Sequence, residues 1–450
     1  MTKIAIIGAG SAVFAQQMIT DILAVAGLDG GEFALIDIDA GRLTQAHRLA
    51  ELTVRRSGKA FTVTSSTDRT ALLPGTDFVI NTIEVSGLRN VQHDYDIPLR
   101  YGVDQCIGDT TGPGGVMKFL RTAPAWLAIL RDIERLAPGA VVLNYTNPMS
   151  ALTLLAARGT SLKVYGLCHS VQNTLTELAG YLGVPAGELA YRCAGVNHLS
   201  WFTAMSWQDQ DQLPALRAAL ERPEVYEQDP VRFEMLRHFG AFPTESSGHF
   251  SEYVPYFRKR PELLERYTRA AYKGESGYYA RNWPHWREEH DAQVADLIRR
   301  EEAGETAIDL TRSPEFASSI VEGLVTGRAQ QITCNLPNLG PDGTPLVENL
   351  LPDGVVEVDC TVDAGGIHPQ PYGRLPEVLA ALDRAHMAIH SLLADAVLRG
   401  DRELAVQALL LDPLTAAVCS PAEIRAMFAE LVEAEAADLP AFLERRPVGA

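Results

Sequence analysis

The chain has 450 residues, 46% of them apolar, and a formal net charge of −18. At about 150 residues per domain, this length favours two fused domains with sizeable cores. The negative charge repels nucleic-acid phosphates and anionic lipids, and no basic block reverses it locally. These properties argue against a nucleic-acid partner.

Membrane and redox properties follow from two further observations. No run approaches the roughly 18 uncharged apolar residues that a membrane-spanning helix requires, so we expect no membrane partner. The six cysteines are scattered, without a CxxC pair or a dense framework, which is typical of reduced thiols. We therefore expect a cytoplasmic protein in which a cysteine can act as a metal ligand.

Residues 1–195 alternate β-branched runs with helical patterns, as a doubly wound sheet requires. Helices are predicted at 12–26, 42–56, 118–136 and 171–182. Six runs predict strands: KIAIIG, FALIDI, FTVTS, DFVINTI, AVVLNYT and KVYGLC. Since crossovers of this length join parallel strands, we predict an α/β fold with a Rossmann-like, doubly wound parallel sheet over residues 1–195.

Residues 196–450 show a mixed pattern and are predicted to form an α+β domain that carries substrate and metal sites. MLRHF and residues 261–272 favour helices, whereas VVEVDCTV favours a strand. An Ala- and Leu-rich helical tail is predicted over 375–436. Pro- and Gly-containing segments at 335–345 and 364–373 are predicted loops.

A glycine turn follows the first predicted strand. Gly8 and Gly10 let the backbone approach a pyrophosphate at the N-terminus of the next helix, and Ser11 adds a hydroxyl. Val13 occupies the position of the third glycine of the usual GxGxxG fingerprint. Asp37 ends the second strand, where a carboxylate accepts the ribose hydroxyls of NAD and repels the extra phosphate of NADP. We therefore predict an NAD site formed by these residues, with Asp39 capping the following helix.

Polar side chains follow the fifth and sixth strands, at the edge where ligands of parallel sheets collect. Cys168 and His169 end the sixth strand, and His198 follows the domain boundary. A chain that crosses back there can bring His198 to Cys168, so that the two hold a cation. A thiolate and an imidazole alone favour zinc or iron over manganese.

Two further polar runs carry candidate substrate residues. The glycine-rich segment 108–115, which contains Asp109, is predicted to be a substrate loop. The run 244–253 concentrates acids, hydroxyls, His249 and Tyr253, and its spacing alone does not distinguish which of them is a base.

Six ordered motifs together carry a family resemblance: GAGS, GDTTGPGG, NYTNPM, GLCHSV, AGVNH and ESSGHFSEYVP. The chain resembles glycoside hydrolase family 4 from residue 3 to the LDPLTAA segment at 411–417, and looks most like its melibiase-type α-galactosidases. The resemblance implies an NAD- and divalent-metal-dependent glycosidase acting on a small-molecule glycoside. NAD would oxidise carbon 3 of the sugar, a base would remove the carbon-2 hydrogen, and the glycosidic oxygen would leave by elimination before water adds and the sugar is reduced again.

The resemblance also implies residue roles. Cys168 and His198 would bind the metal, which would be manganese, and His169 would protonate the leaving group. Tyr253 is our first candidate for the carbon-2 base and His249 the second. The sugar hydroxyls would be bound by Asp109, Asn144 and Asn147.

One position departs from the melibiase-type pattern, because Gly248 stands where those relatives carry an acid. The identity of the sugar is therefore not determined by the resemblance. The alternative substrates are α-glucosides, α-glucuronides, or another acidic or sulfonated sugar.

Outside this family, the nucleotide half also suits a plain NAD-dependent dehydrogenase with the architecture of lactate or malate dehydrogenase, or a catalytically silent NAD or sugar sensor. We expect a homodimer or homotetramer.

Overall fold

The computed structural model describes residues 1–444. Its first part contains all six predicted strands: β1 Thr2–Ile7, β2 Gly30–Ile36, β3 Ala60–Ser66, β4 Phe78–Asn81, β5 Val141–Asn144 and β6 Val164–Gly166. They pair in parallel in the order β6-β5-β4-β1-β2-β3. The helices between them are α1 Ala12–Leu23, α2 Ala40–Ser57, α3 Arg69–Leu72, α4 Gly87–Arg100, α5 Gly112–Leu136, α6 Met149–Gly159 and α7 Ser170–Leu182. The predicted doubly wound sheet is confirmed.

The second part mixes antiparallel strands with helices, as predicted. Its strands are β7 Ala190–Val196, β8 Leu199–Trp207, β9 Gln210–Asp211, β10 Phe242–Pro243, β11 Gln330–Pro337, β12 Val355–Asp363 and β13 Gly366–Pro369. Its helices are α8 Leu213–Ala219, α9 Pro223–Tyr226, α10 Pro230–Phe239, α11 Ser247–Phe250, α12 Pro261–Leu263, α13 Tyr278–Glu302, α14 Phe316–Thr326, α15 Glu377–Arg399, α16 Arg402–Leu410, α17 Pro413–Val418 and α18 Pro421–Ala434. Short turns of other helical types lie at Ala186–Glu188, Leu264–Thr268, Ala436–Asp438 and Ala441–Leu443.

One sheet of thirteen strands runs through both parts. Strand β11 pairs antiparallel with β6 on one side and with β12 on the other, so it joins the parallel strands to the antiparallel ones. Strands β7 and β8 continue the sheet beyond β12 and form a hairpin. The division of the chain near residue 195 stays a prediction. Within residues 1–444, none of the helices combines the length and the apolar character that crossing a bilayer would need.

Local chemistry explains where helix α2 begins and ends. The side chain of Asp39 accepts hydrogen bonds from the backbone N–H groups of Gly41 and Arg42, which confirms the predicted cap. Gly58 ends the helix in the left-handed conformation, where a side chain would be strained.

Three predicted boundaries differ from the structure. The segment 108–115 is a loop only to Thr111, because Gly112 begins α5. The predicted loops at 335–345 and 364–373 contain the end of β11 and all of β13, respectively.

Helix α13 was not predicted. Only Ala280 and Val294 among its residues are buried, so it lacks the apolar stripe by which helices are recognised in a sequence.

Candidate active site

A cavity of about 370 Å³ opens at the carboxyl ends of the parallel strands, where ligands of open α/β sheets bind. Its floor includes Ser11 after β1, Thr82 after β4, Asn147 after β5 and Cys168 after β6. The opposite wall comes from the second part of the chain and consists of His198, Glu245, His249, Lys273, Tyr279, Trp283 and Arg287. Both parts therefore contribute to one site.

The glycine turn has the shape that a dinucleotide requires. Gly8 has a φ of 91°, and a Cβ there would lie 2.7 Å from the carbonyl carbon of Thr82. A Cβ at Gly10 would lie 2.7 Å from Oδ2 of Asp37, which accepts a hydrogen bond from the Gly10 N–H at the same distance. A side chain at Gly8 would therefore clash with Thr82, and one at Gly10 with the carboxylate of Asp37, so this tight turn requires glycine at both positions. Ser11 lines the cavity.

Val13 lies in the first turn of α1 and is 41% exposed. A third glycine normally permits close packing of this helix on the sheet. Because the Val13 side chain points away from the core, the turn keeps its shape without that glycine.

Cys168 and His198 meet as predicted. The Sγ atom of Cys168, after β6, lies 3.2 Å from Nε2 of His198, in the turn between β7 and β8. His198 has a φ of 64°, a conformation that costs energy for a residue with a side chain. The buried carboxylate of Glu357 holds this turn, because it accepts hydrogen bonds from Asn197 and Ser200 on either side of His198. The hydrogen bonds to Glu357 therefore hold His198 in its position beside Cys168.

Glu245 and His249 lie beside this pair. Candidate ligand atoms of His198, Glu245 and His249 all lie within 4.8 Å of one another. Nε2 of His249 is buried without a hydrogen-bond partner, and buried polar atoms are rarely left unpaired unless they serve a ligand. A cation fits these residues, and the carboxylate oxygen of Glu245 makes the donor set harder than Cys168 and His198 alone.

Electrostatics of the group favour a cation. Burial opposes ionisation of Glu245, but the neighbouring charge of His198 and a hydrogen bond with His249 hold the pKa of Glu245 well below its usual range. Burial raises the pKa of the Cys168 thiol to about 11. A bound cation reverses this effect, because coordination deprotonates a thiol.

Tyr253 and His249 occupy different positions relative to the cavity. The Tyr253 hydroxyl lies 3.1 Å from Nδ1 of His198, and the residue is only 3% exposed. Burial raises the pKa of Tyr253 well above its usual range. His249 lines the cavity, whereas Tyr253 is not among the described residues that do. Tyr253 therefore supports the nitrogen of His198 that faces away from Cys168, as partners of metal-binding histidines commonly do.

The predicted sugar-binding residues are only partly brought together. Nδ2 of Asn147 donates to Oδ2 of Asp109 at 3.3 Å, and both residues line the cavity. Lys118 lies 3.6 Å from the same carboxylate oxygen, and its charge helps to lower the pKa of Asp109 to about 2 against the effect of burial. Asn144 is fully buried and bonded to Asn81 and Thr146 beneath the cavity, so it supports this floor from below.

His169 lies at the mouth of the site, with 54% of its side chain exposed. Its Nδ1 is 3.2 Å from Oε1 of Glu315, at the start of α14. This hydrogen bond raises the pKa of His169, despite the opposing effect of burial, so the imidazole holds a proton at neutral pH. A protonated imidazole beside a cavity can donate to a leaving group.

Sequence reasoning had not singled out Glu245, Lys118 or Glu315. Glu245 lies within the polar run 244–253, but the spacing of that run does not distinguish it from the other polar residues there. Lys118 is the one charged residue in the stretch GPGGVMKFL, and a lone charge on an apolar helix face indicates a buried partner. Glu315 carried no local signal, since its role depends on a contact with His169 across the chain.

Comparisons with known proteins agree with this geometry. The model of the family 4 glycosyl hydrolases matches residues 3–184, and the model of the family 4 glycosyl hydrolase C-terminal domain matches residues 193–415. An alpha-galactosidase from Rhizobium meliloti (strain 1021) is 37% identical over 447 residues, which cover 98% of this chain and 89% of that protein. An alpha-galactosidase from Bacillus subtilis (strain 168) is also 37% identical, over 98% of this chain and 100% of that protein.

The fold is shared with solved structures. A 6-phospho-alpha-glucosidase from gut microorganisms, solved in complex with NAD and Mn²⁺, has a TM-score of 0.80 and 18% sequence identity, covering 98% of this chain and 99% of that one. The two family models together match most of the chain, and the residues that carry the resemblance surround one cavity. The chain belongs to family 4 of the glycosyl hydrolases.

Proposed function

We propose that the protein hydrolyses α-galactosides by NAD-dependent oxidation, elimination, water addition and re-reduction, with a divalent metal at the reacting sugar. The juxtaposition of Cys168 and His198, 3.2 Å apart beside the glycine turn, carries this proposal. Membership of family 4 supports the reaction. The two alpha-galactosidase relatives at 37% identity support galactose as the sugar. A plain dehydrogenase or a silent sensor is not favoured by this assignment.

The residues present fit both groups that the reaction needs. Gly8, Gly10, Ser11 and Asp37 would hold NAD, since the turn is packed so closely on Thr82 and Asp37 that neither glycine has room for a Cβ and Ser11 lines the cavity. Cys168 and His198, with the carboxylate of Glu245 beside them, would hold Mn²⁺ or another divalent metal. When bound, the two groups supply reversible oxidation at carbon 3 and Lewis-acid polarisation of the neighbouring oxygens.

The protein's own side chains perform the binding and proton transfers. Asp109 and Asn147 would bind vicinal hydroxyls of the sugar, and Lys118 would keep the Asp109 carboxylate charged. Nε2 of His249 would remove the carbon-2 proton, because it has no hydrogen-bond partner and His249 lines the cavity. His169 would give its proton to the departing glycosidic oxygen. Tyr253, the first candidate from the sequence, becomes the second candidate for the carbon-2 base in this proposal.

The location and assembly are also part of this proposal. All six cysteines are free thiols, which supports a cytoplasmic location. A homodimer or homotetramer is proposed from the resemblance.

Release of 4-nitrophenol from its α-galactoside tests the proposal. We expect turnover only when NAD, Mn²⁺ and a thiol reductant are all present, without net reduction of NAD, because the oxidation is reversed within each cycle. Chelation should stop turnover, and added Mn²⁺ should restore it. Net reduction of NAD in proportion to substrate would instead identify a dehydrogenase. A 4-nitrophenyl α-glucoside serves as the control for the sugar.

The role of His169 is tested by changing the leaving group. We expect His169→Gln to reduce hydrolysis of an alkyl α-galactoside by a factor on the order of 10²–10⁴, because an alkoxide leaves poorly without a proton. Hydrolysis of the 4-nitrophenyl substrate should change much less, since nitrophenolate leaves unaided. Equal losses on the two substrates would contradict a general-acid role.

A further inference from the structure

A pair of aromatic rings on α13 forms part of the cavity wall and has no role in the reaction described above. Tyr279 and Trp283 stack with ring centroids 5.3 Å apart and planes inclined by 27°. Both are half-buried and line the cavity. Stacking surfaces of this kind bind flat apolar faces of ligands.

The position of Trp283 is fixed by its surroundings. A Cβ at Gly87 would lie 2.4 Å from Cη2 of Trp283, so the indole edge occupies the space that a side chain at position 87 would need. The ammonium of Lys118 lies over part of the indole, 5.5 Å from the ring centre, and 2.9 Å from a carboxylate oxygen of Glu84. An indole held on these sides cannot simply rotate away when a ligand enters.

A chain of contacts places the ring pair relative to the metal donors. Lys118 connects Trp283 to Asp109, and Oδ1 of Asp109 lies 3.7 Å from Nε2 of His249. The rings of His249 and His198 follow, with centroids 4.9 Å apart, and then Cys168. In this chain of contacts Trp283 adjoins Asp109 through Lys118, whereas Cys168 adjoins His198 at the other end.

We infer that the Tyr279–Trp283 pair binds the carbon-4 to carbon-6 end of the glycone and selects a galactosyl ring. This inference rests on the proposed function, in which the metal donors lie at carbons 2 and 3 and His169 at the leaving group. The axial 4-hydroxyl of galactose leaves the hydrogens of carbons 4, 5 and 6 together on one face, whereas the equatorial 4-hydroxyl of glucose turns the carbon-4 hydrogen to the other face. An aromatic face attracts such polarised C–H groups.

The hydroxyl of Tyr279 adds a polar contact to this subsite. It has no hydrogen-bond partner within the described part of the chain, and burial together with the charge of Asp109 raises the pKa of Tyr279. The phenol therefore stays neutral and is available to donate to a sugar hydroxyl. The pair combines an apolar face with one donor, which suits a neutral hexose.

The test compares Trp283→Leu with Trp286→Leu, since Trp286 belongs to the same aromatic cluster but does not line the cavity. For Trp283→Leu, we expect kcat/KM on a 4-nitrophenyl α-galactoside to fall roughly 10- to 100-fold, the cost of removing a well-packed aromatic contact. The preference for galactoside over glucoside should shrink, whereas the dissociation constant of NAD should stay within about twofold. Trp286→Leu should alter neither property.

Further measurements separate the possible failures. Trp283→Phe retains a ring and should keep most of the selectivity, and thermal unfolding of each variant reports on folding. Weaker NAD binding by Trp283→Leu with unchanged sugar selectivity would overturn the inference and assign the indole to the cofactor. Unchanged kinetics would assign it to packing alone. A wild-type protein that hydrolyses no α-galactoside would contradict the proposed function itself.

Discussion

Replacing Cys168 by serine should lower kcat on a 4-nitrophenyl α-galactoside by roughly 1000-fold or more, because a bound cation contributes several kcal/mol to the stabilisation of developing charge. A serine hydroxyl remains protonated at neutral pH and is a poor ligand compared with a thiolate. The affinity for Mn²⁺, measured by electron paramagnetic resonance of the free ion, should fall together with kcat.

Cys419→Ser provides the matched control, since this thiol bonds only to the backbone of Tyr101 and does not line the cavity. It should retain the activity and metal affinity of the unsubstituted protein. A Cys168→Ser variant whose kcat stays within tenfold of that of the unsubstituted protein would contradict a role of this thiolate in holding the cation.

The second large effect is expected at the carbon-2 base. His249→Asn should slow hydrolysis by a factor on the order of 10²–10⁴, the usual contribution of a positioned base. It should also slow the incorporation of deuterium at carbon 2 of the sugar from deuterated water, followed by nuclear magnetic resonance. The reason is geometric, because Nε2 of His249 is buried without a hydrogen-bond partner and His249 lines the cavity.

Tyr253→Phe is the comparison that decides between the two candidates. It removes the hydroxyl that lies 3.1 Å from Nδ1 of His198, so a loss of about 10- to 100-fold, with weaker metal binding, is expected from the disturbed histidine. Deuterium incorporation should continue in this variant at a rate that follows metal occupancy. If Tyr253→Phe abolishes exchange at saturating Mn²⁺ while His249→Asn preserves it, Tyr253 is the base.

The nucleotide-binding part was predictable from the sequence because its signals are local. Six β-branched runs became six strands, and Asp39 capped α2 as expected. Each of these features depends on residues within one or two turns of the chain, which a sequence displays directly. Gly8 and Gly10 likewise indicate a close approach of the backbone, independently of the rest of the fold.

The site was less predictable, since its geometry depends on contacts between distant segments. The pairing of Cys168 with His198 was anticipated, but the addition of Glu245 required knowing which side of the polar run faces inward. Asn144 and Tyr253 carry suitable groups, yet the structure places both behind the cavity wall, where they support Thr146 and His198 respectively. Helix α13 was not predicted because two of its aromatic rings line a cavity and only a few of its apolar residues pack against α2, which leaves no continuous apolar stripe.

Strand β11 makes the two halves of the site parts of one hydrogen-bonded layer. In enzymes whose lobes are joined by a hinge, groups on opposite lobes separate whenever the cleft opens. The turn after β6 and the turn between β7 and β8 instead belong to the same continuous sheet. The distance between Cys168 and His198 is therefore set by the pairing of strands within one layer, and closing a cleft between two lobes is not needed to bring them together.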